Sequence, residues 1–217
     1  AEFTGPQHFV EFWLDVIDEW EKETGKDAKV ALSTTKAVQD AILANPKYAD
    51  VVDIIDIRYW HYKTDGLYAP ESGKNLAPRQ HARKMKVGKV TFKEAYKAVS
   101  EYRQKYPDKA VTYYAQNYPD MAWAVFMAGG SLAGVPVKDT AFLTDAAGMN
   151  IVDSASDDFK ILGKADGAIV YSQGANNIAL TLAPGKYRIT AFNPKSGESS
   201  VVNKSVKING DLSLIHI

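Results

Sequence analysis

Along the first 130 residues, stretches with helical hydrophobic spacing alternate with short, uniformly apolar stretches. Steps of three and four residues between large apolar side chains predict a helix over residues 4–25 that buries an aromatic face. That face consists of Phe9, Phe12, Trp13, Val16, Ile17 and Trp20. The same patterns predict further helices ending at Ala44, over 91–106 and over 121–128, and apolar strands at 28–32, 51–60 and 110–114. Gly25 is expected to stop the first helix, and Thr91 and Glu94 have the spacing of a capping box at the start of the helix over 91–106. This regular alternation is typical of βα units and a parallel sheet.

The pattern changes near residue 150, where short apolar runs begin to recur about every ten residues. Glycine and proline separate the runs, and several of them alternate apolar with polar residues. The runs are 159–162, 168–171, 178–182, 187–192 and 201–208. They predict a small antiparallel β-sandwich. We therefore expect an α/β domain over 1–153 and an all-β domain over 154–212, and we interpret 213–217 as a vector-derived tail.

The stretch from Val51 to Tyr62, VVDIIDIRYWHY, begins as a buried strand and ends in charged, aromatic and imidazole side chains. Parallel α/β sheets bind their ligands at the carboxyl ends of the strands, so the polar end of this strand is a candidate site. An alternative is purely structural. In it, Asp56 pairs with Arg58, and Trp60 and Tyr62 cap a core.

Composition narrows the classes of function. The formal net charge is zero, which disfavours a nucleic-acid or anionic-membrane binder that works by bulk electrostatics. The chain has no cysteine, which excludes disulfides and thiolate metal sites. No apolar run approaches the ~20 residues of a membrane span. No basic segment followed by an apolar one opens the chain, so we expect no signal peptide in it.

Several motifs together resemble the C-terminal half of a group of bacterial glycoside hydrolases. These proteins have a (β/α)8 barrel followed by a small β-sandwich of the collagen-binding type. The motifs of the barrel part are FVEFWLD at 9–15, DIRYWHY at 56–62, APRQHAR at 77–83, AWAV at 122–125 and AGGS at 128–131. Those of the sandwich are GAIVYS at 167–172 and FNPKSG at 192–197. The resemblance implies a partial (β/α)8-type barrel with parallel strands, followed by the antiparallel sandwich.

Under this resemblance the three apolar strands correspond to barrel strands five, six and seven, and an eighth is expected near 131–137. Glu2 then follows the absent fourth strand, where such barrels carry their acid/base glutamate. The nucleophile glutamate expected after the seventh strand is replaced here by Ala115, Gln116 and Asn117. The nearest carboxylate is Asp120, and Asp56 is another candidate.

Glycoside hydrolysis needs two carboxylates at a defined separation. We expect Glu2 and Asp56 to supply them, with Asp120 in reserve; alternatively, Glu2 is only an exposed end residue. The residues expected to hydrogen-bond or stack on sugar are Arg58, Tyr59, Trp60, His61, Tyr62, Arg79, Gln116 and Asn117. A metal site formed by Asp56, His61 and His81 is disfavoured, because their intervals match no standard ligand spacing.

Two classes of function follow. The first is a glycoside hydrolase, or a fragment of one, that cleaves a polysaccharide or oligosaccharide by carboxylate acid/base chemistry without a metal or other cofactor. The second is a non-catalytic carbohydrate- or protein-binding module. The exposed edges of a partial barrel also predict a homo-oligomer, and the resemblance implies an extracellular or periplasmic location.

Overall fold

A computed structural model describes residues 7–63, 66–68, 90–115, 118–152, 157–174, 177–209 and 213–216. The chain divides into two compact units. The first unit comprises the chain up to Val125 together with Gly130–Ala133, and the second comprises Phe126–Gly129 together with the chain from Gly134 onward. Within the described residues, no helix has the length and apolar character that crossing a membrane requires.

The described helices and strands are named here in chain order. The helices are α1 (Gln7–Thr24), α2 (Lys36–Ala44), α3 (Pro46–Val51), α4 (Phe92–Lys105), α5 (Ala122–Met127) and α6 (Thr140–Ala147), with a 3₁₀ turn at Tyr118–Met121. The strands of the first unit are β1 (Ala31–Leu32), β2 (Ile54–Ile57), β3 (His61–Lys63), β4 (Gly66–Tyr68) and β5 (Ala110–Tyr113). Those of the second are β6 (Asn150–Val152), β7 (Phe159–Lys164), β8 (Gly167–Ser172), β9 (Asn177–Leu180), β10 (Gly185–Phe192), β11 (Ser199–Ile208) and β12 (Ser213–His216).

The first unit is built on a parallel sheet in the order β1-β2-β5, so the predicted parallel sheet is confirmed. The central strand β2 pairs with both neighbours, and Ile55 and Ile57 in it are fully buried. β3 and β4 form a separate antiparallel hairpin. The mixed helix-and-strand class is therefore as predicted.

Local sequence explains where the helices begin and end. The hydroxyl of Thr91 accepts a hydrogen bond from the backbone N–H of Glu94, and the Glu94 carboxylate accepts one from the backbone N–H of Thr91, so the predicted capping box opens α4. Gly25 adopts a φ of 66° directly after α1 and stops it as expected. The side chain of Asn45 caps α3, a short helix that the sequence analysis did not predict.

Burial on α1 differs from the prediction. Val10 and Leu14 are fully buried, whereas Phe9, Phe12, Trp13, Val16 and Trp20 are exposed. Val10 and Leu14 lie one turn apart on the side where α1 contacts α2 and α3. Apolar residues cover more than one face of this helix, and the aliphatic face is the one that enters the core. The prediction that the aromatic face is buried is therefore wrong.

One further prediction needs correction. The stretch 131–137, expected to hold an eighth strand, forms bends and irregular chain without sheet pairing, and Leu132 in it has a φ of 55°. Residues 213–216, left outside the fold as a tail, form β12 and pair with β9.

The second unit contains antiparallel sheets: β6-β7-β8, β9-β12 and β10-β11. Its apolar core is shared by strands from all three sheets. The buried members are Ile161, Ile178, Leu180, Leu182 and Ile208. Each described strand of the predicted all-β region lies close to its expected run, which agrees with the ten-residue spacing of the sequence.

Candidate functional site

Asp56 is the centre of a buried hydrogen-bond cluster near the carboxyl ends of the three parallel strands. Its Oδ1 accepts a hydrogen bond of 2.8 Å from the hydroxyl of Thr112 on β5. Its Oδ2 accepts one of 2.8 Å from Ser33, directly after β1, and one of 2.9 Å from Nε of Arg58. One carboxylate thus ties all three strands together.

Strand register explains this meeting. Asp56 pairs with Thr112 in the parallel ladder between β2 and β5, so their side chains leave the sheet on the same face. Ser33 lies one residue beyond Leu32, the last residue of β1, whose ladder partner is Ile55. Ser33 and Thr112 were not singled out by the sequence analysis, because only the register reveals them.

Two further hydroxyl residues follow Ser33 at this end of the sheet. Thr34 and Thr35 are almost completely buried, and no described residue hydrogen-bonds to either hydroxyl. Thr35 is the N-cap residue of α2, yet its side chain does not cap the helix. Buried hydroxyls of this kind can accept or donate a hydrogen bond to a water or a ligand group.

The side chain of Arg58 extends from the cluster toward solvent. Its side chain is 38% exposed, whereas that of Asp56 is only 6% exposed. The Arg58 guanidinium lies over the ring of Tyr114, 5.2 Å from its centroid, and Tyr114 is 37% exposed. Tyr114 directly follows β5. It was not among the site residues predicted from the sequence. The salt bridge between Asp56 and Arg58 is the one foreseen by the structural alternative.

Gln39 of α2 fixes the backbone beneath this cluster. Its side-chain amide nitrogen donates to the carbonyl oxygens of Leu32 and Asp56, at 2.8 and 2.9 Å. Its Oε1 accepts a hydrogen bond of 2.6 Å from the indole of Trp60. Gln39 is fully buried, so one side chain joins the ends of β1 and β2 to Trp60.

A second polar network lies between α2, α4 and β3. The ammonium group of Lys36 is 2.6 Å from Glu101 Oε1 and 3.1 Å from Asp40 Oδ2. It also lies over the rings of Trp60 and Tyr102, 5.1 and 4.8 Å from their centroids. Although burial alone would raise the pKa of Glu101, hydrogen bonds from Lys36 and Tyr62 lower it below its usual value. The positive charge of this buried lysine is therefore paired with two carboxylates, and its ammonium group packs against two aromatic rings.

The remaining aromatic and imidazole residues of the stretch are mostly enclosed. Tyr59 and Trp60 are buried, and Tyr62 is half-buried with its hydroxyl bonded to Glu101. His61 is also buried, and burial lowers the pKa of its imidazole. The rings of Trp60 and Tyr62 meet edge to face, with centroids 5.5 Å apart. Of the six predicted residues from Asp56 to Tyr62, Arg58 reaches furthest toward solvent.

Of the other predicted site residues, only Asp120 lies in the part of the chain that the structure describes. Glu2, Arg79, Gln116 and Asn117 lie outside the described residues, as does His81. Asp120 is exposed on the 3₁₀ turn and shares no hydrogen bond with Asp56. Among the described residues, no group of three or more histidine, aspartate or glutamate side chains could hold a metal ion.

Comparison with protein families places the chain in one of them. A model described as a domain of unknown function, DUF6298, matches residues 1–149. The chain belongs to this family, whose match extends over the first unit and the start of the second. Neither a curated protein nor a solved structure matches the chain.

Proposed function

We propose that the chain is a carbohydrate-binding part of a glycoside hydrolase, and that the carboxyl edge of its parallel sheet contacts a polysaccharide or oligosaccharide. The observation that carries the proposal is the placement of Arg58. Buried Asp56 anchors its guanidinium through Nε, and the same guanidinium lies over the exposed ring of Tyr114. The resemblance of the motifs to glycoside hydrolases supplies the substrate class.

The chemistry of this pair suits a sugar. A guanidinium has five N–H donors in a fixed plane, and the one at Nε of Arg58 donates to Asp56. Guanidinium N–H groups are donors of the type that sugar hydroxyls accept. The ring of Tyr114 adds a flat apolar face beside them. A binding side chain is preorganised when its inner part is held rigidly and its end stays accessible to the ligand.

Strand order is consistent with the partial barrel of this proposal. The parallel strands β1, β2 and β5 lie side by side in the sheet in the order in which they occur along the chain, as the strands of a (β/α)8 barrel do. Active sites of such barrels lie at the carboxyl ends of the strands, which is where the Asp56 cluster lies. The proposal includes the extracellular or periplasmic location that the resemblance implies, and the small β-sandwich after the barrel.

Asp56 fits a positioning role better than that of a nucleophile. Its carboxylate already accepts three hydrogen bonds and is buried beneath Arg58. In the hydrolase proposal, acid/base chemistry therefore falls to Glu2 and Asp120, and Asp56 holds the substrate-binding arginine.

The second candidate function is a non-catalytic carbohydrate-binding module. It is favoured by a specific observation: the Asp56 carboxylate already accepts hydrogen bonds from two hydroxyls and a guanidinium, and so serves to hold Arg58. Two carboxylates at a defined separation are required for glycoside hydrolysis.

The test combines reducing-sugar release with glycan binding by the purified chain on a panel of polysaccharides. Arg58→Ala is expected to lower binding at least tenfold. Arg188→Ala, at an exposed arginine of β10, is the matched control and should bind like the wild type. Sugar release that falls with Arg58→Ala supports the hydrolase, and binding without release supports the module. Absence of both in a folded chain would contradict the proposal.

A further inference from the structure

The exposed face of α1 is a continuous apolar stripe, here called the aromatic stripe. Its members are Phe9, Phe12, Trp13, Val16 and Trp20, which are between 37% and 57% exposed. Trp13 meets Phe9 and Phe12 edge to face, with ring centroids 6.3 and 5.6 Å apart. Soluble proteins rarely leave a contiguous apolar patch of this size in water unless it is an interaction site.

We propose that a second copy of the chain covers the aromatic stripe, with the two α1 helices packed antiparallel about a two-fold axis. This interface is distinct from the sheet edges that the sequence suggested for self-association, and it does not depend on the proposed function. A two-fold interface must be self-complementary, because the same patch serves both copies. The sequence of the stripe meets that condition.

The pattern of the stripe is nearly symmetric about the point between Leu14 and Asp15. Reversal about that point brings Phe9 opposite Trp20 of the second copy, and Trp13 opposite Val16. Large rings at the ends thus meet large rings, and the central tryptophan meets a small valine. Alternation of large and small residues across facing positions is what allows two helices to interdigitate.

Charge favours the antiparallel direction. Glu19 and Glu23 are exposed near the carboxyl end of α1, and His8 is exposed near its amino end. Antiparallel packing brings the two glutamates toward the amino end of the other helix, where the helix dipole is positive. Parallel packing would instead bring the glutamates of both copies together.

The stripe supplies about two thirds of the area that a small but specific interface buries. Aromatic side chains present ~150–250 Å² each, so a stripe with these exposed fractions offers on the order of 400 Å² per copy. Two copies with their flanking residues then approach the ~1,200 Å² at which specific interfaces begin.

Sedimentation of the full chain from about 1 to 200 µM tests the proposal. The expected result is a species of twice the 23.8 kDa chain mass. Phe12→Glu is expected to weaken the dimer more than tenfold, while Val202→Glu, at an equally exposed valine of β11, should leave it unchanged. A monomer throughout would mean that something other than a second copy covers the stripe, and would overturn the proposal. So would a dimer that survives Phe12→Glu with an unchanged circular-dichroism spectrum.

Single-cysteine variants test the direction, because the chain has no cysteine of its own. With antiparallel packing, Val16 and its counterpart lie about 5 Å apart along the helices, whereas Glu23 and its counterpart lie about 25 Å apart. Val16→Cys should therefore form a disulfide-linked dimer on mild oxidation, and Glu23→Cys should not. Efficient linkage through Glu23→Cys, or none through Val16→Cys, would contradict the antiparallel arrangement.

Discussion

Tyr62 Oη donates a hydrogen bond of 2.5 Å to Oε2 of Glu101, 39 residues further along the chain. The contact joins β3 to the middle of α4. The other oxygen of the Glu101 carboxylate accepts from Lys36 of α2, so one side chain links three elements. The strand that follows the candidate site is therefore fastened to the helical layer by a short polar contact.

We expect Tyr62→Phe to lower the free energy of unfolding by about 1–2 kcal/mol, since the hydrogen bond to a charged acceptor is lost while the ring remains. Urea titration of Tyr62→Phe, Glu101→Gln and the double variant measures it. The losses of unfolding free energy in the two single variants should sum to more than the loss in the double variant, because each single substitution removes the same contact. Simple additivity would show that the contact contributes nothing to stability.

The stability of the protein should fall as the pH is lowered from 7.5 to 5.5, in part because of His61. Burial lowers the pKa of His61 from its usual 6.5, against the opposing charge of Glu94. The unfolded chain therefore binds the proton more readily, and unfolding is favoured once the pH falls below 6.5. The stability that His61 contributes is fully present above that pH.

Urea midpoints at the two pH values measure this dependence, and His61→Gln should reduce it. An equal pH dependence in wild type and His61→Gln would contradict the assignment.

Gln39→Leu should be strongly destabilising, by about 2–4 kcal/mol, because it leaves two backbone carbonyls and the Trp60 indole N–H without their buried partner. Chemical denaturation measures the loss, and the indole proton resonance of Trp60 should shift. Gln104→Leu, at an exposed position of α4, is the control and should change stability by less than about 0.5 kcal/mol. Equal effects of the two substitutions would show that Gln39 does not hold the strand ends together.

Local signals in the sequence predicted much of the fold. The capping box at Thr91 and Glu94, the glycine after α1 and the apolar runs of β2 and β5 act over a few residues, and each appears where expected. Asp56 was also recognised, because it lies at the polar end of an apolar strand.

What sequence reasoning missed depends on contacts that are distant along the chain. Ser33 and Thr112 reach Asp56 only because of the register between three strands. Gln39 looks like an ordinary polar residue of α2, and its burial follows from the packing of that helix on the sheet. The buried face of α1 was predicted wrongly because two faces of this helix are apolar. The spacing of side chains alone does not say which of the two faces packs in the core.

The order of the parallel strands also has a consequence for how the protein is made. β1, β2 and β5 lie side by side in the order in which they leave the ribosome, so none has to be inserted between two strands already paired. Each strand can join the open edge left by the one before it, as domains that fold from the amino end during synthesis require. Thr112 is the last member of the Asp56 cluster to be translated, so the cluster is completed only when β5 joins the sheet.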